Sequence, residues 1–225
     1  MYKILEALAP CGDNSRTKKC FLVIDGGHLL HRVLWPAHAT FKSLYTIYTK
    51  YIQNNFGTDV IIVFDGYQIS NTKADERFRR GMKNYCVDIM FSDAMPVTVS
   101  QEKFLANGNN KSRFIAALTS ILQNSGYAVM QAVADADTLI VRTAVELSRT
   151  QPNVSVVGDD TDLLVLLIAL ANKDINVSLL KPGRGKIPQR NYSSLKLQQA
   201  LGDMCGCLLC VHAATGCDTT YAPYR

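Results

Sequence analysis

The sequence predicts an α/β fold with a mainly parallel central sheet flanked by helices on both faces. Short apolar, β-branched runs recur at 21–24, 59–64, 127–133, 154–157 and 175–180, each long enough for a strand and too short for a helix. Between most of them lie stretches with apolar residues at helical spacing, and strands that alternate with helices pair in parallel through crossovers. The first four runs also end in acid: Asp25, Asp65, Asp135 and the pair Asp159–Asp160 stand just past them. Parallel strands put their carboxyl ends on one edge, the edge where open α/β sheets bind ligands. Carboxylates gathered there repel one another unless a cation sits between them.

The elements follow in order. Residues 1–19 form an N-terminal extension with a basic run at 16–19 and no long apolar core, so no secretory signal is expected, and 20–225 read as one domain. The first strand delivers Asp25 and then Gly26-Gly27. Helices at 27–34 and 40–55 are parted by Pro36. His28 and His31 are spaced to share a metal, although packing is the commoner use of two histidines on a short helix. The second strand delivers Asp65-Gly66. Residues 70–83 (SNTKADERFRRGMK) read as a helix capped by Ser70 or Asn71, carrying Lys73, Arg77, Arg79, Arg80 and Lys83. Such a charge run is either a solvated face or, one step from an acidic edge, a clamp on phosphate.

From 84 to 111 the pattern weakens, and only 86–91 and 97–99 look strand-like; an ordered lid and an inserted loop both fit. A helix at 111–124 closes at Gly126, and the next strand leads to Asp135 and Asp137, which open a helix at 138–148. After the strand 154–157 come Gly158, then Asp159, Asp160 and Asp162, then a helix at 163–171. One aspartate caps a helix well, but a cap accounts for one of the three. Beyond the strand 175–180 lies the basic turn KPGRGK, which lacks the glycine spacing of a phosphate loop, and helices at 193–201 and 204–214 follow. Cys205, Cys207, Cys210, His212 and Cys217 are dense, yet C-x-C-x2-C-x-H is not a common zinc frame. Leu208, Leu209 and Val211 among them point to a buried helix in which cysteine packs as a small hydrophobe.

The net charge of +5 favours an anionic partner. No run is long enough to span a membrane. Seven cysteines, an odd number without an export signal, argue for reduced thiols inside the cell, in the nucleus or cytoplasm. Four or more carboxylates on strand ends are equipment for two hard divalent cations, and paired cations suit in-line hydrolysis of a phosphodiester, with basic neighbours holding the phosphate. A phosphatase of the haloacid-dehalogenase type is a rival, but it needs a second aspartate two residues after the first, where Gly27 follows Asp25. The other rival is a nuclease-like domain without catalysis that binds nucleic acid or protein.

In order, the apolar strand ending in Asp25, VFDG with Asp65, the paired Asp135 and Asp137, D-x-D at Asp160 and Asp162, and GCD at Asp218 resemble the flap-endonuclease and PIN-like 5′-nuclease superfamily. The closing HAATGCDTT is similar to an animal-associated branch of it. The resemblance covers roughly 21–220. It implies a metal-dependent nuclease in which Asp25, Asp65, Asp135, Asp137, Asp160, Asp162 and Asp218 hold two Mg²⁺ ions, with Mn²⁺ a substitute. Lys73 and Arg80, at the family's seven-residue spacing after VFDG, would touch the reacting phosphate, and Asp159 would cap or support. It further implies a nucleic-acid partner, DNA ahead of RNA. Three departures stand out. Aspartates replace the usual glutamates in the paired acid, 84–111 is short for a helical arch, and the sequence ends at Arg225 before any duplex-gripping helix-hairpin.

Overall fold

The structure, a computed structural model, describes residues 5, 20–66, 86–133, 135–172 and 174–215. The expected basic helix at 70–83 with Lys73 and Arg80, almost all of the N-terminal extension, and Asp218 lie outside the described residues.

In chain order the elements are β1 (Phe21–Asp25), α1 (Gly26–Arg32), α2 (Phe41–Phe56), β2 (Val60–Phe64), α3 (Gln101–Ala106), α4 (Gly108–Asn124), β3 (Ala128–Gln131) and α5 (Ala136–Leu147). Then follow β4 (Val154–Val157), α6 (Thr161–Leu170), β5 (Val177–Lys181), β6 (Arg190–Ser193), α7 (Ser194–Leu201), a 3₁₀ helix (Gly202–Cys207) and α8 (Leu208–Thr215). The class is α/β, a six-stranded, mostly parallel sheet with helices. The chain divides into two compact units, Met1–Asp25 with Asp135–Arg225, and Gly26–Ala134.

In the first unit β1, β4 and β5 run parallel side by side, with Ile24 level with Val157 and Val157 level with Leu180. All four residues of β4 are buried. Because alternate side chains on a strand point to opposite faces, burial of the whole run means that both faces are covered. Helix α5 packs on β1, β4 and α6, while α6 and α7 pack on β5. Leu163, Leu164, Val165, Leu167 and Ile168 make α6 apolar nearly all round, which is why it sits inside. Its last carbonyls are met by a buried side chain of α7: Gln198 Nε2 donates to Ile168 O at 2.8 Å and to Ala171 O at 2.6 Å.

Two sequence expectations need correction in this unit. Strand β6 falls where no strand is expected, because Arg190-Asn191-Tyr192-Ser193 has no apolar run; it exists by antiparallel pairing with β5, which sets Tyr192 against Leu179 and buries it. The expected helix at 204–214 starts as a 3₁₀ turn after Gly202, whose φ of +54° breaks α7. It is not a buried helix either. Helix α8 leans on α6 and buries Leu208 alone, leaving Leu209, Val211, Cys207 and Cys210 exposed.

The second unit holds the parallel pair β2–β3, with Ile61 level with Ala128 and Phe64 level with Gln131. Its core is aromatic. Phe41, Tyr45 and Tyr48 of α2 meet Phe104 of α3 and Phe114 of α4, Trp35 lies 5.0 Å from Phe114, and Phe91 stacks on Phe41 at 3.9 Å between ring centres. The buried Tyr48 hydroxyl is satisfied twice, donating to Leu30 O at 2.7 Å and accepting from Trp35 Nε1 at 3.0 Å. Burial raises the Tyr48 pKa well above the usual phenol value and pushes Tyr45 up to about 12.

The strand-like readings at 86–91 and 97–99 are also corrected: neither is a strand. The backbone there is satisfied by side chains at the start of α4. Buried Asn110 accepts from Ile89 N at 2.7 Å and donates to Val87 O at 2.9 Å, and Asn107 donates to Cys86 O. Asn107 also caps α4, so the helix begins three residues before the expected 111. Helix α3, capped by Ser100, falls where the pattern weakens, and its Gln101 donates to Leu30 O and Val33 O. Among the described residues no helix is long and apolar enough to cross a membrane.

Candidate functional site

In the first unit the carboxyl ends of β1, β4 and β5 share one edge, since the three strands are parallel. Asp25 is the last residue of β1 and lies beside Gly158, the residue after β4. A Cβ at position 158 would stand 3.5 Å from Asp25 Cβ and 3.7 Å from Asp25 Oδ2, and only 2.7 Å from Leu163 Cδ1. Glycine here leaves open the space next to the Asp25 carboxylate.

Asp160 is the N-cap of α6, its Oδ1 accepting from Asp162 N at 3.0 Å. The cap therefore falls on Asp160 and not on Asp159, whose backbone oxygen instead accepts from Lys181 Nζ, at the end of β5, at 2.7 Å. Asp162, in the first turn of α6, has its Oδ1 3.0 Å from His212 Nε2 of α8, with both side chains largely covered. Asp135 is the N-cap residue of α5 and Asp137 lies in that helix's first turn; both are half-buried. Acids at a helix start are favoured by the N-terminal end of its dipole.

In the second unit Asp65 follows β2, half-buried, with its Oδ2 3.8 Å from Lys111 Nζ at the start of α4. Lys111 also acts on His31 of α1. His31 is exposed on α1, yet partial desolvation by its surroundings holds its pKa below the usual imidazole value, Lys111 lowers it further, and Glu102 opposes both. Gly66 has no room for a side chain: a Cβ there would run into the backbone carbonyls of Ala132 and Val133.

Two functional candidates have no counterpart in the sequence pattern, Lys111 against Asp65 and His212 against Asp162. Each pair is tertiary, joining residues from separate elements. In the sequence His212 stands out only as part of a possible zinc cluster, and Lys111 only as a helix start.

Among the described residues no three His, Cys, Asp or Glu side chains stand together as a group able to hold a metal ion, whether around the acids, around His28 and His31, or around Cys205, Cys207 and Cys210. The donor chemistry at the strand edge nevertheless fits a hard divalent cation, because the side chains there are carboxylates and Gly158 leaves room beside one of them.

No protein-family model matches the chain, and no curated protein is similar to it in sequence. Solved structures are similar in fold. The catalytic core of Rad2 in complex with DNA substrate superposes with a TM-score of 0.60 at 14% identity, covering 97% of this chain and 61% of that one. Human GEN1 in complex with Holliday junction DNA gives a TM-score of 0.58 at 13% identity, covering 100% of this chain and 52% of that one. A bacteriophage T5 flap endonuclease with DNA and metal ions gives 0.50 at 13% identity, with coverages of 88% and 67%. The chain spans about three fifths of the length of the Rad2 structures it matches. At these identities the likeness is one of fold alone: the chain shares its α/β fold with these structures.

Proposed function

We propose that the chain is a divalent-metal-dependent nuclease acting inside the cell on nucleic acid, DNA ahead of RNA. The observation that carries this reading is the placement of Asp25, Gly158 and Asp160 on neighbouring parallel strand ends of a 5′-nuclease fold. Asp25, Asp65, Asp135, Asp137, Asp160, Asp162 and Asp218 are the residues that would hold two Mg²⁺ ions, or Mn²⁺ in their place. When bound, such ions supply Lewis acidity for in-line displacement at phosphorus.

The chain's own residues do the rest. Lys73 and Arg80 contact the reacting phosphate as a point charge and a fork. The cations of the β5–β6 turn steer the backbone toward the acidic edge. That several of the similar structures were crystallised with DNA supports DNA as the partner.

A second reading is a domain that binds nucleic acid without cutting it. One experiment separates the two. The protein is incubated with labelled single-stranded, flapped and duplex DNA and with RNA, in Mg²⁺ or Mn²⁺, beside an Asp160→Asn/Asp162→Asn variant. Cleavage by the parent alone supports the nuclease; binding by both without cleavage supports the module.

A further inference from the structure

We propose that Cys207 and Cys210 are a reversible dithiol–disulfide site. They are the two ends of Cys-Leu-Leu-Cys, with Cys207 closing the 3₁₀ helix and Cys210 in the first turn of α8. Leu208 between them has φ −58° and ψ −44°, so the backbone runs helically from one to the other. Residues three apart on such a backbone are neighbours, with Cβ atoms roughly 5–6 Å apart, so closing a bond draws them together by about 1–2 Å. Helical geometry also keeps their Cα atoms inside the roughly 4.4–6.8 Å that a disulfide spans.

Both cysteines are exposed, while buried Leu208 anchors the turn that carries them. Cys205 is engaged elsewhere, its thiol donating to Gln198 O at 3.6 Å. Cys86 is buried in the other unit. A C-x-x-C pair is the arrangement of dithiol redox chemistry, in which one cysteine forms the mixed disulfide and the other resolves it. In a reducing compartment such a bond is transient, as redox-sensing disulfides are.

The oxidant is a small-molecule disulfide such as oxidised glutathione. The Cys207 thiolate attacks one of its sulfurs, forming a mixed disulfide and releasing one glutathione thiolate. Cys210 then loses its proton and displaces the second, closing the Cys207–Cys210 bond. Two electrons pass from the protein to glutathione disulfide, which leaves as two thiols. The closed bond staples the first turn of the helix whose His212 meets Asp162.

The test equilibrates the full chain in mixtures of oxidised and reduced glutathione, quenches with acid, alkylates free thiols and maps them by peptide mass spectrometry. The expected result is loss of both alkylation sites at Cys207 and Cys210, with the peptide lighter by two hydrogens, Cys205 and Cys217 still alkylated, and full reversal by a dithiol reductant. Cys205→Ser and Cys217→Ser retain the bond, whereas Cys207→Ser and Cys210→Ser abolish it. A bond to Cys205 or Cys217, a cross-linked dimer, or only alkylated thiols and glutathione adducts in the parent would overturn the proposal.

Discussion

His212 Nε2 stands 3.0 Å from Asp162 Oδ1, bringing α8 against the start of α6, whose N-cap Asp160 and first-turn Asp162 are two of the candidate metal-site acids. If Asp162 is a ligand, the His212 ring beside it is the neighbour placed to limit its orientation, and removing a supporting neighbour of a ligand typically costs about 10–100-fold in metal affinity. His212→Ala is expected to weaken Mn²⁺ binding by about that factor with the circular dichroism spectrum unchanged. Equal Mn²⁺ affinity in parent and variant, alongside a loss in Asp162→Asn, would show that the histidine does not support the site.

Gly158 separates packing from chemistry. An added methyl would press on Leu163, which is wholly buried, and fill the space beside the Asp25 carboxylate at ordinary contact distance. Overpacking of this kind costs about 1–3 kcal/mol, so Gly158→Ala is expected to lower the unfolding free energy by that amount and to reduce cleavage further than stability accounts for. Gly66→Ala is expected to be the more damaging change, because the obstacle there is backbone and has no rotamer into which to retreat. Urea denaturation of the two variants beside the parent measures both.

Much of this architecture is legible in the chain. The run at 154–157 reads as a strand because four β-branched or small residues end at a glycine, and β4 has those bounds. Asp25, Asp65 and Asp160 stand out because each follows an apolar run closely. What the sequence hides is tertiary. Strand β6 is polar and owes its existence to its neighbour, α3 is too short to show a helical period, and backbone that resembles strand at 86–91 is satisfied by Asn110 instead. The pairs Lys111–Asp65 and His212–Asp162 join separate elements, so no local spacing announces them.

His31 makes stability depend on pH. Its folded pKa lies below the ordinary value of 6.5, so the unfolded chain binds the proton more readily than the folded one. The stabilisation that comes from keeping it neutral is complete above the unfolded value and is lost as pH falls through that value toward the folded one. His31→Gln is expected to flatten the change in urea midpoint between about pH 7.5 and about pH 5.5. A parent and variant with parallel pH profiles would contradict this.

The turn between β5 and β6 is tight and basic. Arg184 and Ile187 exchange both backbone hydrogen bonds at 2.9 Å, and Gly185, with φ +57°, supplies the left-handed residue such a tight turn requires. From 181 to 190 the sequence holds Lys181, Arg184, Lys186 and Arg190 and no acid. Arg184→Ala/Lys186→Ala is expected to weaken DNA binding and to reduce the slope of log affinity against log salt by about one for each phosphate that is no longer neutralised. Fluorescence anisotropy across a salt series measures both, and an unchanged slope would remove the turn from the interface.

The most direct test is a crystal structure grown with Mn²⁺, read from its anomalous scattering. Two manganese peaks are expected among Asp25, Asp65, Asp135, Asp137, Asp160, Asp162 and Asp218. These carboxylates directed to separate sides of the molecule, with no manganese among them, would contradict a shared metal site.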